Sequence, residues 1–220
     1  MRQILILLFI LISSVAFGQK HFIGMQAGLN LTNTSAKENF VDTKIRTSFT
    51  GGINYVFKFS GKCRFEIDAL YSQKGFTDNI ILTDDFGVFI GEEKTEFNLD
   101  YFCIPLKLGY EIGNKINVIP TIGIVPSYLL KAETIYPKFD SNGNIITHEI
   151  LNAKKYASKY DFGGLIELGI EHVIYDHLIL CSAINYAHSL TTFSNTDYFD
   201  EYKLRHYGFS INIGFKYLLK

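Results

Sequence analysis

Residues 205–219 read RHYGFSINIGFKYLL. Taken in twos, Tyr207, Phe209, Ile211, Ile213, Phe215, Tyr217 and Leu219 are apolar or aromatic, whereas His206, Gly208, Ser210, Asn212, Gly214 and Lys216 are small or polar. A period of two marks a strand with two unlike faces. This one is about twice as long as an ordinary globular strand, is aromatic near both ends, and carries glycine and lysine on its polar face. Those features predict a strand with one face in lipid and the other lining a polar barrel lumen. The remaining chain must then supply enough partners to close the barrel.

A chain of 220 residues suits one domain behind a targeting segment. The formal net charge of −1 and the absence of a dense basic run argue against nucleic-acid binding. Aromatic residues make up 15% of the chain, from Tyr 14 and Phe 19 with no Trp, more tyrosine than a soluble surface needs. At the start, Arg2, the apolar run from Ile4 to Ile12, and Ala16-Phe17-Gly18 predict an export signal over 1–18, cleaved before Gln19, ahead of a barrel domain over 19–220. The run is too short for a spanning helix, and no later stretch approaches 18 consecutive apolar residues. Cys63, Cys103 and Cys181 are odd in number and widely spaced, unlike a disulfide framework or a zinc site. Isolated small apolar residues are the simplest reading. If one bridge forms, Cys103 with Cys181 is the candidate, because both fall on the lumen face.

Seven further strands follow from the same alternation. The first is His21 to Leu31, with Ile23, Met25, Ala27 and Leu29 opposite Gly24, Gln26, Gly28 and Asn30. Arg46 to Phe59 turns at Ser60-Gly61 into Lys62 to Lys74, where Arg64, Glu66 and Asp68 alternate with Phe65, Ile67 and Ala69. Three charges at alternate positions cannot face hydrocarbon, so they define the interior. Phe97 to Ile112, Lys115 to Leu130, Tyr160 to Val173 and His177 to Leu190 complete the set. Long polar loops are expected over 32–45, 75–96, 131–159 and 191–204, with Ser141-Asn142-Gly143-Asn144 able to turn a short hairpin in the third.

The count is eight, and the connections alternate long and short. The fold class is therefore all-β: an eight-stranded antiparallel up-and-down transmembrane barrel with short periplasmic turns and four long extracellular loops. Pro105, Pro120 and Pro126 fall inside strands, where each removes a ladder donor, so bulges or frayed ends are expected there.

With these features in place, the chain resembles the small outer-membrane β-barrel proteins of the Bacteroidetes often labelled PorT-like. The residues that carry the likeness are Phe17-Gly18-Gln19, Gly24-Met25-Gln26-Ala27-Gly28-Leu29-Asn30, Tyr101-Phe102-Cys103-Ile104-Pro105-Leu106-Lys107, Tyr160-Asp161-Phe162-Gly163 and the closing strand. The resemblance implies a Gram-negative outer-membrane location and acceptance of Ile-Pro-Leu in the fourth strand. It implies no chemistry, and no residue here identifies a role in secretion.

The candidate site is the charged lumen face: Lys58, Arg64, Lys107 and Lys216 with Glu66, Asp68, Glu111, Glu167 and Glu171. An eight-stranded barrel is just wide enough for its own side chains, so these charges are expected to pair across the lumen and plug it. The leading expectation is a monomeric, non-enzymatic barrel that contacts outer-membrane lipid and binds an extracellular or envelope partner through its loops. No cofactor, metal or catalytic residue is expected. A narrow solute channel is the alternative. A lipid A-modifying enzyme is a further one, invited only by His188-Ser189, His206 and the carboxylates Asp197, Asp200 and Glu201. Neighbours on a strand point to opposite faces, which counts against the His188-Ser189 pair. Tyr55, Tyr110 and Tyr217 toward one rim, and Tyr71, Tyr128, Tyr186 and Tyr207 toward the other, are expected as interfacial belts. Asp84-Asp85 and Glu92-Glu93 match no calcium-loop spacing and are expected as solvated surface.

Overall fold

A computed structural model describes residues 20–35, 43–59, 61–83, 86–140, 145–195 and 203–219. The export signal, Ser60, Asp84-Asp85, the 141–144 turn, Asp197, Asp200 and Glu201 lie outside those residues. The strands are β1 (Lys20–Ser35), β2 (Lys44–Lys58), β3 (Cys63–Thr83), β4 (Phe89–Cys103), β5 (Leu106–Tyr110), β6 (Ile112–Gly113), β7 (Ile116–Phe139), β8 (Ile145–Asn152), β9 (Tyr160–Tyr175), β10 (Leu178–Ser189) and β11 (Arg205–Leu219). Each barrel strand pairs antiparallel with its sequence neighbour. The ring closes where β1 meets β11, from His21 opposite Leu219 to Ser35 opposite Arg205. Because β4, β5 and β6 follow one another along one wall position, the ring has eight members. Among the described residues no helix is long and apolar enough to cross a membrane.

The expected facing holds along the strands. Ile211 is 54% exposed while Asn212 is 6% exposed, and the same contrast runs through β3, β5, β9 and β11. Hydrocarbon takes the place of a protein core on the outside, so the aliphatic residues are turned outward. Tyr71, Phe102, Tyr128 and Tyr160 stand side by side across four strands on the outer rim. Tyr207 and Tyr217 are ten residues apart on β11, about 33 Å along a strand and about 25 Å along the normal at the usual tilt, the thickness of the apolar band. Inside, Gly24 lies beside Lys216, and a Cβ there would meet Asn54 Oδ1, the Phe215 carbonyl and the Lys216 stem. Only glycine lets the lysine cross the lumen at that level.

The prolines act through the neighbouring strand. Pro105 separates β4 from β5, yet its carbonyl still accepts from Asp68 N at 3.0 Å. Pro120 and Pro126 remain inside β7, paired in register with Leu168 and Phe162 of β9. Their other side faces the two interruptions of the fourth barrel strand. Ile104 N donates to the Pro126 carbonyl at 2.9 Å beside the Pro105 break, and Pro120 lies opposite the gap between β5 and β6. A strand that cannot donate is matched to a strand that cannot accept a regular ladder.

Two long connections differ from unstructured loops. The segment 75–96 continues the sheet: β3 runs to Thr83 and β4 returns from Phe89, with Phe76 opposite Phe97. Likewise β7 rises to Phe139 and β8 comes back beside it, from Glu133 opposite Asn152 to Phe139 opposite Ile145. Outside the bilayer these backbones could bond to water, but extending an existing hairpin adds ladder bonds at little further closure entropy. Cys103 and Cys181 carry free thiols rather than the candidate bridge. Cys103 stands opposite Leu70 and Ser127, whereas Cys181 stands opposite Glu171 and Gly214, nearer the periplasmic end.

Candidate functional site: the barrel lumen and its outer cap

Alternation on five strands aims nine charged side chains inward at the periplasmic end. Lys107 Nζ, on β5, reaches Glu66 Oε1 at 2.7 Å, Asp68 Oδ2 at 2.8 Å and Glu167 Oε1 at 3.3 Å. Lys216 Nζ, on β11, bridges Glu66 Oε2 at 3.0 Å and Glu171 Oε1 at 2.9 Å. The Arg64 guanidinium holds Glu66 at 2.9 Å, Glu171 at 2.6 Å and Glu111 at 3.5 Å. Lys58 Nζ closes on Glu111 Oε1 at 2.6 Å. All nine residues named from the sequence are thus joined in one web, with Gln26 adding a hydrogen bond to Asp68 Oδ2 at 3.1 Å. Arg64, Glu66, Asp68, Lys107, Glu171 and Lys216 are buried. Charges taken from water need several partners each, and here every cation has two or three except Lys58 at the rim.

A second buried cluster fills the outer half of the lumen. Lys74 Nζ, on β3, pairs with Asp161 Oδ2 of β9 at 2.9 Å, and its charge lies 4.8 Å from the Tyr101 ring centre. Asp161 also accepts from Ser189 Oγ at 2.8 Å and Thr191 Oγ1 at 3.1 Å. His206 Nε2 is 3.4 Å from the Tyr101 hydroxyl, and Phe193 stacks on the His206 ring at 3.9 Å and 12°. Lys74 was legible as a continuation of the parity of Arg64, Glu66 and Asp68. Phe193 carried no such signal, because it lies in a segment without alternation.

Phe193 belongs to a cap across the outer mouth. The 3₁₀ turn Lys154–Tyr156 and residues 192–195 meet there. Ser158 N donates to the Phe193 carbonyl at 2.7 Å, and Asn195 N donates to the Tyr156 carbonyl at 2.9 Å. Phe193 packs with Phe76, Leu99, Ala132, Ala157 and Leu204 in one apolar cluster. Between the charged web and this cap remains a cavity of about 80 Å³ lined in part by Asn30, Ser72, Asn185 and Ser210.

Of the residues that invited a lipid-modifying reading, His188, Ser189 and His206 are described; all three border the same small cavity, while Asp197, Asp200 and Glu201 lie outside the described residues. Ser189 is inward and bonded to Asp161, His188 lies beside Tyr186 and Tyr207, and His206 is covered by Phe193. Among the described residues no group of three or more His, Cys, Asp or Glu side chains could hold a metal ion. Beyond the membrane, Glu92 accepts from Asn79 Nδ2 at 2.7 Å.

Known proteins frame this geometry. The outer membrane protein OprG from Pseudomonas aeruginosa superposes with a TM-score of 0.51 at 14% identity, over 92% of this chain and 96% of that one. Neisserial surface protein A gives 0.45 at 14% identity, covering 91% and 98%. Ail, the attachment invasion locus protein of Yersinia pestis, gives 0.42 at 9% identity, covering 91% and 99%. No curated protein sequence matches. The family model described as outer membrane protein beta-barrel domain matches residues 17–220. With its closed eight-membered ring and lipid-facing aliphatic surface, the chain belongs to the outer membrane protein beta-barrel domain family and resides in the outer membrane.

Proposed function

We propose that this protein is a non-enzymatic, monomeric barrel whose lumen is shut at both ends and whose work is done at the outer face, where its paired extensions bind an extracellular or envelope partner. The observation that carries the reading is the web of nine interlocked charges, with Glu66 held by Lys107, Lys216 and Arg64 at 2.7, 3.0 and 2.9 Å. An ion crossing this level must break several desolvated pairs at once, and the cap adds an apolar layer above it. The PorT-like motifs support placing the chain in the Bacteroidetes branch of its family. The test is conductance of the purified barrel in planar bilayers. Silence at moderate voltage is expected, and a steady large conductance would overturn the reading in favour of a channel.

A further inference from the structure

A second cavity, of about 180 Å³, lies between the cap and the extended β4 and β7 strands. Phe76 and Phe97 form one wall, their rings stacked at 4.4 Å and 13°, and Phe193 forms another. Ala132 of β7, Ala153 after β8 and Ala157 after the 3₁₀ turn line it where larger side chains would fill it. Phe97, Ala153 and Leu204 are only half-buried, so the cavity opens toward the outside rather than toward the charged web.

We propose that this cavity is a binding site for a compact, uncharged aromatic molecule of one or two fused rings, taken up from the external medium. The inference rests on the reading that the barrel is closed and acts at its outer face. Three arguments set the ligand class. The volume is below the roughly 300 Å³ at which drug-sized sites begin, but above the roughly 150 Å³ at which an apolar cavity accepts benzene. The surface of the cavity is largely hydrocarbon; Asn98, Glu133 and Thr134 are among its few polar members, and Glu133 is already paired with Lys131 at 2.8 Å, so an uncharged, mainly apolar guest is selected. The walls are phenyl rings, which gain from offset or edge contacts with a further ring beyond simple burial.

Indole is the probe, because the chain has no tryptophan and indole emission lies to the red of that from its tyrosines. The complete barrel in phosphatidylcholine nanodiscs is titrated with indole beside protein-free discs and the cavity-filling variants Ala132→Leu and Ala157→Leu. The expected result is saturable one-to-one binding, with Kd raised at least tenfold in the variants. A linear signal equal to that of protein-free discs overturns the proposal. Because a filled variant can fail to fold, the unaltered protein is also heated with increasing indole. A Tm that climbs with the logarithm of concentration is expected, and an unmoved Tm counts against the site. Bilayer conductance on the same preparation separates the two readings. A silent barrel without saturable binding removes the site alone, whereas saturable binding to a conducting barrel removes the closed-lumen reading alone.

Discussion

Lys216 Nζ on the last strand lies 3.0 Å from Glu66 Oε2 on β3, although 150 residues separate them. The two strands are not adjacent in the wall, since β1 and β2 stand between them. The pair therefore ties opposite arcs of the ring, which main-chain ladders cannot do. Lys216→Met should lower stability by about 3–5 kcal/mol, because Glu66 and Glu171 lose a shared cation in a desolvated site. Urea unfolding from lipid vesicles measures it. A loss below about 1 kcal/mol would show that the web contributes little to holding the barrel.

The double variant Lys216→Met, Glu66→Gln should not be the sum of its parts. Both changes act on one web, so a coupling of about 0.5–3 kcal/mol is expected from a double-mutant cycle. Additive losses would mean that the two groups do not sense each other.

Phe193→Ala should loosen the cap while leaving the periplasmic web in place. The ring is stacked on His206 and packed against Phe76 and Leu99, so its removal should cost about 3–5 kcal/mol. Hydrogen exchange should speed up at Ser158, whose amide donates to the Phe193 carbonyl, but not at Lys216. Equal acceleration at both sites would contradict two separate closures.

The hairpin of β7 and β8 should weaken in acid. Glu149 accepts from Lys138 and from the Tyr136 hydroxyl, and these bonds, Lys138 first, hold its carboxyl below the ordinary glutamate range. Such a depressed group contributes stability above its unfolded value and loses it as pH falls through the folded value. The group is exposed, so the effect is local and small. Amide exchange over residues 136–139 and 145–150 should rise between pH 5 and pH 3 after correction for intrinsic rates, and Glu149→Gln should remove that dependence.

Nitroxide labels on single cysteines at Ile211 and Asn212 should report opposite surroundings once Cys63, Cys103 and Cys181 are replaced. The first should be reached by lipid-dissolved oxygen and the second should not. The reverse result would invert the facing of every strand.

Alternation alone determined the wall of this protein: the β11 boundaries, the inward nine charges and the outward aliphatic band all follow from a period of two against two solvents. Lys74 shares that parity, so its lumen position was legible even though its Asp161 partner was not. The partner depends on shear, the stagger between distant strands, which no local pattern encodes. The β3/β4 extension was obscured, and the β7/β8 one signalled only by the Ser141-Asn142-Gly143-Asn144 turn, because beyond the bilayer the apolar residues come as adjacent pairs, Ile80-Ile81, Phe89-Ile90, Ile145-Ile146 and Ile150-Leu151, and not in alternation. The cap was decided only by tertiary structure. Phe193 has no periodic neighbours, and its burial arises from the meeting of two irregular segments over a lumen whose width the ring of eight strands had already set.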